Sequence, residues 1–196
     1  MVDDGNIEIL KLLSSTSTKI AQGEVLQLQH KGEIDILEEI YFKITSSKTA
    51  ALFSAATKVG AILGEKESKY KEALEFYGKN IGLTFQIADD ALDYNSNLQL
   101  FGKEIGNDFF EGKVTLPIIL LYQKIDNSKK KILKDLFFKD KRDKDELKYV
   151  LNLIKENNII KDCYKKADHF INLASNALSV FDDSKEKKIL KNLTKF

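Results

Sequence analysis

Apolar residues recur at spacings of three and four along nearly the whole chain, without the sustained apolar–polar alternation that is typical of strands. This pattern predicts an all-helical protein. A glycine-containing loop, residues 95–114, interrupts the pattern after the third helix, and Pro117 is suited to the first turn of the helix that follows. The predicted helices cover about residues 6–29, 35–63, 69–94, 127–138, 143–156, 159–181 and 184–193, and one more begins at Thr115.

The third predicted helix is apolar around most of its circumference, as in buried helices, but it carries one narrow polar stripe. Its three carboxylates are unfavourable there, because like charges at this spacing repel and because acids near a helix C-terminus oppose the helix dipole. A divalent cation would offset this cost, and ligands that are all oxygen favour Mg²⁺, or Mn²⁺, over zinc. The alternative is a solvated acidic patch near the helix end. The stripe consists of Gly78, Gly82, Gln86, Asp89 and Asp93, with Asp90 at its edge.

Three lysines stand near these aspartates in the sequence pattern. Lys48, followed by Thr49, falls on the apolar stripe of the second predicted helix, where it either faces an acidic site or extends outward to solvent. Lys103 and Lys113 each follow a glycine in the loop after the aspartates. Glycine allows close approach of the backbone to an anion, although a charged surface loop explains the same residues.

Composition narrows the choice of function. Lysine plus arginine number 31 and aspartate plus glutamate 30, a balance that argues against a nucleic-acid or anionic-membrane surface. Arg142 is the one arginine, so phosphate would be bound by lysines, metal ions or backbone donors. The lone Cys163 excludes an internal disulfide, and with the acidic start of the chain it predicts a cytoplasmic protein. No apolar run approaches the roughly 20 residues of a membrane span.

Four segments, in this order, resemble the trans-isoprenyl diphosphate synthases, and most closely the long-chain polyprenyl type such as octaprenyl diphosphate synthases. The resemblance runs from residue 1 to about residue 122 and is weaker beyond. It implies the C-terminal portion of an all-α isoprenoid-synthase bundle. The segments are Gly-Glu-Val-Leu-Gln-Leu at 23–28, Lys-Thr-Ala-Ala-Leu-Phe at 48–53, the aspartate-rich run at 85–94, and the glycine–lysine loop at 102–117.

The same resemblance implies a chemistry and a set of residues. The implied reaction is the Mg²⁺-dependent condensation of an allylic prenyl diphosphate with isopentenyl diphosphate. Gly23 and Glu24 also match the family, where helix packing is the expected role. The implied metal ligands are Asp89, Asp90 and Asp93; the implied diphosphate contacts are Lys48, Thr49, Gln86, Lys103 and Lys113; the implied catalytic residues are Lys48, Asp89 and Lys103; and Asp108 is a more remote acid.

One part of the family pattern has no counterpart in this sequence. The first aspartate-rich motif and the residues that bind isopentenyl diphosphate belong to helices upstream of those found here. We therefore expect residues 1–196 to form a single all-helical domain that lacks the N-terminal helices and has little prenyltransferase activity alone. Exposed apolar surface would favour a homo- or hetero-oligomer. The alternatives are a non-catalytic subunit or gene remnant that pairs with another chain, a terpene cyclase-like enzyme, and a helical bundle without a site.

Overall fold

The structure is a computed structural model that describes residues 5–95 and 105–193. Every regular element in these ranges is helical, which confirms the all-α prediction. None of the helices described is both long and apolar enough to cross a membrane. The α-helices are α1 (Ile7–Gln29), α2 (Glu38–Thr45), α3 (Ala51–Leu63), α4 (Ser68–Asp93), α5 (Asn107–Glu111), α6 (Leu116–Lys124), α7 (Asn127–Phe138), α8 (Lys144–Glu156), α9 (Ile159–Ala177) and α10 (Lys185–Asn192).

Capping side chains explain where several of these helices begin. The Asp126 carboxylate accepts hydrogen bonds from the amides of Ser128 and Lys129 at the start of α7. Asp143 and Glu146 form a reciprocal capping box at the start of α8. Because each cap satisfies amides that have no partner inside the helix, the cap fixes the first residue of the helix. The predicted boundaries of these helices are confirmed.

The second predicted helix, about residues 35–63, begins at Glu38 in the structure and contains an irregularity that was not predicted. A turn of π-helix at Ser46–Ala50 separates α2 from α3. This π turn contains both Lys48 and Thr49. A π turn inserts one extra residue into the helix, a change that apolar spacing does not reveal, and such insertions are frequent at functional sites.

The described residues divide into two compact units, and α1, α2, α4 and α9 each contribute to both. In the first unit, Tyr77 and Ile81 of α4 belong to a buried cluster with Ala174 and Leu178. In the second, α6 is buried along most of its length. The first unit comprises residues 5–25, 43–85 and 167–193, and the second comprises residues 26–42, 86–95 and 105–166.

Two glycines of the polar stripe on α4 serve helix packing in the first unit. A Cβ built on Gly78 would clash with the Thr57 hydroxyl and would lie 2.8 Å from the carbonyl carbon of Phe53. A Cβ on Gly82 would lie 2.6 Å from the Cα of Ala50. The absence of side chains at both positions therefore allows the backbone of α4 to lie close to α3 and to the π turn.

We expect Gly78→Ala to destabilise the chain by about 1–3 kcal/mol, the usual cost of overpacking a tight interior. Gly60→Ala is the matched control, since a Cβ on Gly60 meets nothing within 4 Å and alanine favours the helix. Urea unfolding followed by circular dichroism measures both free energies of unfolding. Equal stability of the two variants would contradict the close packing.

Candidate functional site

The three aspartates at the C-terminal end of α4 lie in three different environments. Asp89 is exposed, whereas Asp90 and Asp93 are buried, with relative exposures of 2% and 8%. Carboxylates rarely stay buried unless hydrogen-bond donors or counter-ions compensate for the lost hydration. The hydrogen-bond donors that compensate for the burial of Asp90 and Asp93 are therefore the main features of this site.

Asp90 receives hydrogen bonds at both carboxylate oxygens. The Tyr41 hydroxyl donates to Oδ2 at 2.6 Å, and the Gln86 amide nitrogen donates to Oδ1 at 2.8 Å. Burial raises the pKa of Asp90 to about 7, although both hydrogen bonds oppose the shift; the charges of Asp108 and Asp89 add to it. Gln86 was predicted to contact the diphosphate. In the structure it donates a hydrogen bond to Asp90, which was not predicted.

Asp93 holds the start of the segment that begins at residue 105. Its carboxylate accepts hydrogen bonds from the backbone amides of Asn107, at 3.2 Å, and Asp108, at 2.9 Å. Its own carbonyl accepts from the amide of Gly106 at 2.8 Å, and Gly106 adopts a left-handed conformation with φ +82°. Asp93 therefore compensates for its burial by capping α5, from 14 residues away in sequence.

Asp108 adds a fourth carboxylate to the three aspartates of α4, and Lys113 pairs with it. We call these four carboxylates, Asp89, Asp90, Asp93 and Asp108, the acidic cluster. The Lys113 ammonium lies 3.4 Å from Asp108 Oδ1 and 2.6 Å from Glu111 Oε2. Burial and the charge of Asp93 raise the pKa of Asp108, and Lys113 opposes that shift. Desolvation lowers the pKa of Lys113, but its bonds to Glu111 and Asp108 outweigh this effect and raise it. The second unit thus brings together Gln86, the three aspartates, Asp108 and Lys113.

Three predicted site residues do not belong to the described part of the second unit. Lys48 and Thr49 belong to the first unit, in the π turn, and Lys103 lies outside the described residues. The Lys48 side chain is 35% exposed, and its ammonium lies 2.5 Å from a carboxylate oxygen of Glu24 on α1. This ion pair was not predicted.

The donor set of the acidic cluster suits a hard cation, because it consists of carboxylate oxygens. Within residues 5–95 and 105–193, no three histidine, cysteine, aspartate or glutamate side chains are grouped so as to hold a metal by themselves. Mg²⁺ does not need such a cage, since it commonly keeps several waters and binds one or two carboxylates together with substrate phosphates. Exposed Asp89, whose charge reaches both Asp90 and Asp108, fits that kind of site.

Comparison with known proteins identifies the family to which this chain is similar. A family model described as polyprenyl synthetase matches residues 1–154. The all-trans-nonaprenyl-diphosphate synthase (geranyl-diphosphate specific) of Rhodobacter capsulatus is 35% identical over 195 residues, 100% of this chain and 59% of that protein. The octaprenyl diphosphate synthase of Escherichia coli (strain K12) is 41% identical over 119 residues, 61% of this chain and 37% of that protein.

Solved structures of polyprenyl synthases are also similar to this chain. The crystal structure of a polyprenyl synthase from Caulobacter crescentus CB15, complexed with calcium and isoprenyl diphosphate, matches with a TM-score of 0.93 and 32% identity. The match covers 99% of this chain and 59% of that one. The chain belongs to the polyprenyl synthetase family, as the sequence motifs predict. It spans about three fifths of the length of these two relatives, and it matches their C-terminal portion.

Sequence reasoning missed Tyr41 and the pairing of Glu24. Tyr41 lies 49 residues before its partner Asp90, and nothing in the periodicity of α2 separates it from an ordinary core tyrosine. Glu24 lies in a segment that matches the family, but its sequence pattern indicates helix packing only. Both contacts join residues from different helices, which local patterns do not encode.

The pKa of Asp90 predicts how stability changes with pH in the absence of metal. Its pKa of about 7 lies above the ordinary value of 3.8, so the folded state binds more protons than the unfolded state between about pH 4 and pH 7. Stability should therefore fall as pH rises through this window. Asp90→Asn removes the titrating group, and we expect that variant to be less sensitive to pH and more stable than the parent above pH 7.

Urea unfolding in a chelator, from about pH 4 to pH 8, measures this dependence. Asp168→Asn is the control, because Asp168 is exposed on α9 and should leave the pH dependence unchanged. If the free energies of unfolding of Asp90→Asn and the parent change with pH in the same way, Asp90 is not the group that titrates in this window.

Proposed function

We propose that this chain provides the second aspartate-rich portion of a prenyl diphosphate synthase, which joins an allylic prenyl diphosphate to isopentenyl diphosphate. The observation that carries the proposal is the acidic cluster at the end of α4. There Tyr41 and Gln86 hold Asp90, and the amides of α5 hold Asp93, beside an exposed Asp89. The names of its relatives, which are nonaprenyl and octaprenyl diphosphate synthases, support the same substrate class.

The metal proposed here is Mg²⁺, with Mn²⁺ as a substitute, and Asp89, Asp90 and Asp93 are its proposed ligands. A bound Mg²⁺ would supply positive charge that stabilises the departing diphosphate. Asp89 is the best placed of the three, because the oxygens of Asp90 and Asp93 already accept hydrogen bonds. A carboxylate has more lone pairs than these bonds use, so Asp90 and Asp93 retain capacity for a cation.

The lysines have a complementary role in the proposal. Lys48 and Thr49 in the π turn, together with Lys103 and Lys113, bind oxygens of the allylic diphosphate. Negative charge grows on that group as the allylic C–O bond breaks, and fixed ammonium groups stabilise the developing charge more than the ground state. The allylic carbocation is then attacked by the double bond of isopentenyl diphosphate, and a proton is lost. Apolar side chains exclude water from the cation.

A second candidate function is a non-catalytic subunit that pairs with another chain. Several apolar side chains of the first unit are exposed, among them Val25 at 55%, Leu52 at 55% and Leu63 at 63%. In this hypothesis a partner chain covers these side chains and removes their apolar surface from water. A chain carrying the first aspartate-rich motif is the partner that this hypothesis predicts. Co-purification with such a chain would favour it, whereas a monomer that never associates would contradict it.

We expect the purified chain to bind Mg²⁺–pyrophosphate while incorporating little or no labelled isopentenyl diphosphate into lipid. Asp89→Asn should weaken Mg²⁺–pyrophosphate binding at least about tenfold, the usual scale for losing support of a metal site. Isothermal titration calorimetry measures the binding, with Asp168→Asn as the control for loss of one exposed negative charge. Wild-type binding by Asp89→Asn would refute the metal role, and robust turnover by the chain alone would refute the expected inactivity.

A further inference from the structure

Two consecutive residues of α1 contact the π turn that carries Lys48. The carboxylate of Glu24 lies 2.5 Å from the Lys48 ammonium, and the two side chains are 47% and 35% exposed. The preceding residue, Gly23, is buried. All these residues belong to the first unit.

Gly23 allows the backbone of α1 to lie directly against this turn. A Cβ on Gly23 would lie 2.7 Å from the Lys48 backbone nitrogen and 2.9 Å from the Cβ of Ser47. Neither atom is the end of a flexible side chain, so any larger residue must displace the turn. Gly23 therefore sets the close approach, and Glu24 uses that approach to reach the ammonium of Lys48.

We propose that Glu24 is a positioning residue for Lys48, which holds its ammonium in one place before the diphosphate binds. The inference rests on the proposed function, in which Lys48 binds the diphosphate. A lysine side chain has many rotamers, and a partner on a rigid helix selects among them before the ligand arrives. The negative charge of Glu24 also competes with the incoming anion. Glu24 thus orients the lysine and weakens its attraction for anions at the same time.

These two effects are separable by substitution. Glu24→Gln keeps an oxygen that can accept a hydrogen bond from Lys48 but removes the charge. Glu24→Ala removes both the acceptor and the charge. Lys58 and Glu75 provide a matched control pair in the same unit, 2.7 Å apart and with exposures of 25% and 39%. Glu75→Gln therefore reports the general effect of removing one such charge.

The first measurement uses the full chain without ligand. Nuclear magnetic resonance of the lysine side-chain ammonium groups should show that the Lys48 signal is displaced in Glu24→Ala and in Gly23→Ala. Glu24→Gln should retain a hydrogen-bonded Lys48 signal, and Glu75→Gln should displace the Lys58 signal instead. A Lys48 signal that is the same in the parent chain and in Glu24→Ala would overturn the proposal.

The second measurement is the affinity for Mg²⁺–pyrophosphate by calorimetry. We expect Glu24→Gln to bind about two- to fivefold more tightly than the parent, the range for a partly exposed ion pair, and Glu24→Ala to bind at least about twofold more weakly than Glu24→Gln. In a chain that also carries Lys48→Met, both Glu24 substitutions should lose their effect. Glu24 effects of full size in that background would overturn the proposal.

Failure of the positioning role can be told apart from failure of the proposed function. If Lys48→Met weakens pyrophosphate binding while both Glu24 variants bind like the parent, Lys48 is an anion ligand and the positioning role of Glu24 is refuted. If Lys48→Met binds like the parent, the role of Lys48 in the proposed function is refuted, and the positioning role falls with it.

Discussion

The hydrogen bond from Tyr41 to Asp90 is the interaction on which the acidic end of α4 most depends. Removing a carboxylate from water is costly, and at Asp90 that cost is evident in a pKa raised to about 7. The phenol and the Gln86 amide stabilise the charged form from two sides, at 2.6 and 2.8 Å. They hold the carboxylate in one orientation.

Asp93 and Asp90 are both buried, and different hydrogen-bond donors compensate for the hydration that each has lost. Asp93 uses two backbone amides at the start of α5, and this contact fixes the residues that lead to Asp108 and Lys113. Asp89, which is exposed, needs no such compensation in water. The aspartate motif is therefore not three equivalent ligands: two members organise the surrounding structure, and the exposed member is the one most available to a cation.

Most of the fold could be predicted from the sequence because helix ends and apolar faces are local properties. Asp143 with Glu146, and Asp126 before α7, mark helix starts by cap chemistry that is visible in the sequence. The π turn at Ser46–Ala50 could not be predicted in this way, since it changes the hydrogen-bond register without disturbing the apolar spacing.

In the site, too, some residues can be recognised from the local sequence and others cannot. The aspartates and Lys48 stand out because charge on an apolar helix face is unfavourable without compensation, so their presence predicts a site. Their partners do not stand out. A buried tyrosine such as Tyr41 and a surface glutamate such as Glu24 are ordinary residues until the fold places them against Asp90 and Lys48.

The most direct test of the acidic cluster is a crystal structure of the chain with Mn²⁺ and pyrophosphate, with anomalous data collected at the manganese edge. The metal site proposed here predicts an anomalous peak at a bonding distance of roughly 2.0–2.2 Å from an oxygen of Asp89, with pyrophosphate oxygens on the same ion. An Asp89 carboxylate surrounded only by water, with no anomalous peak at the end of α4, would contradict it.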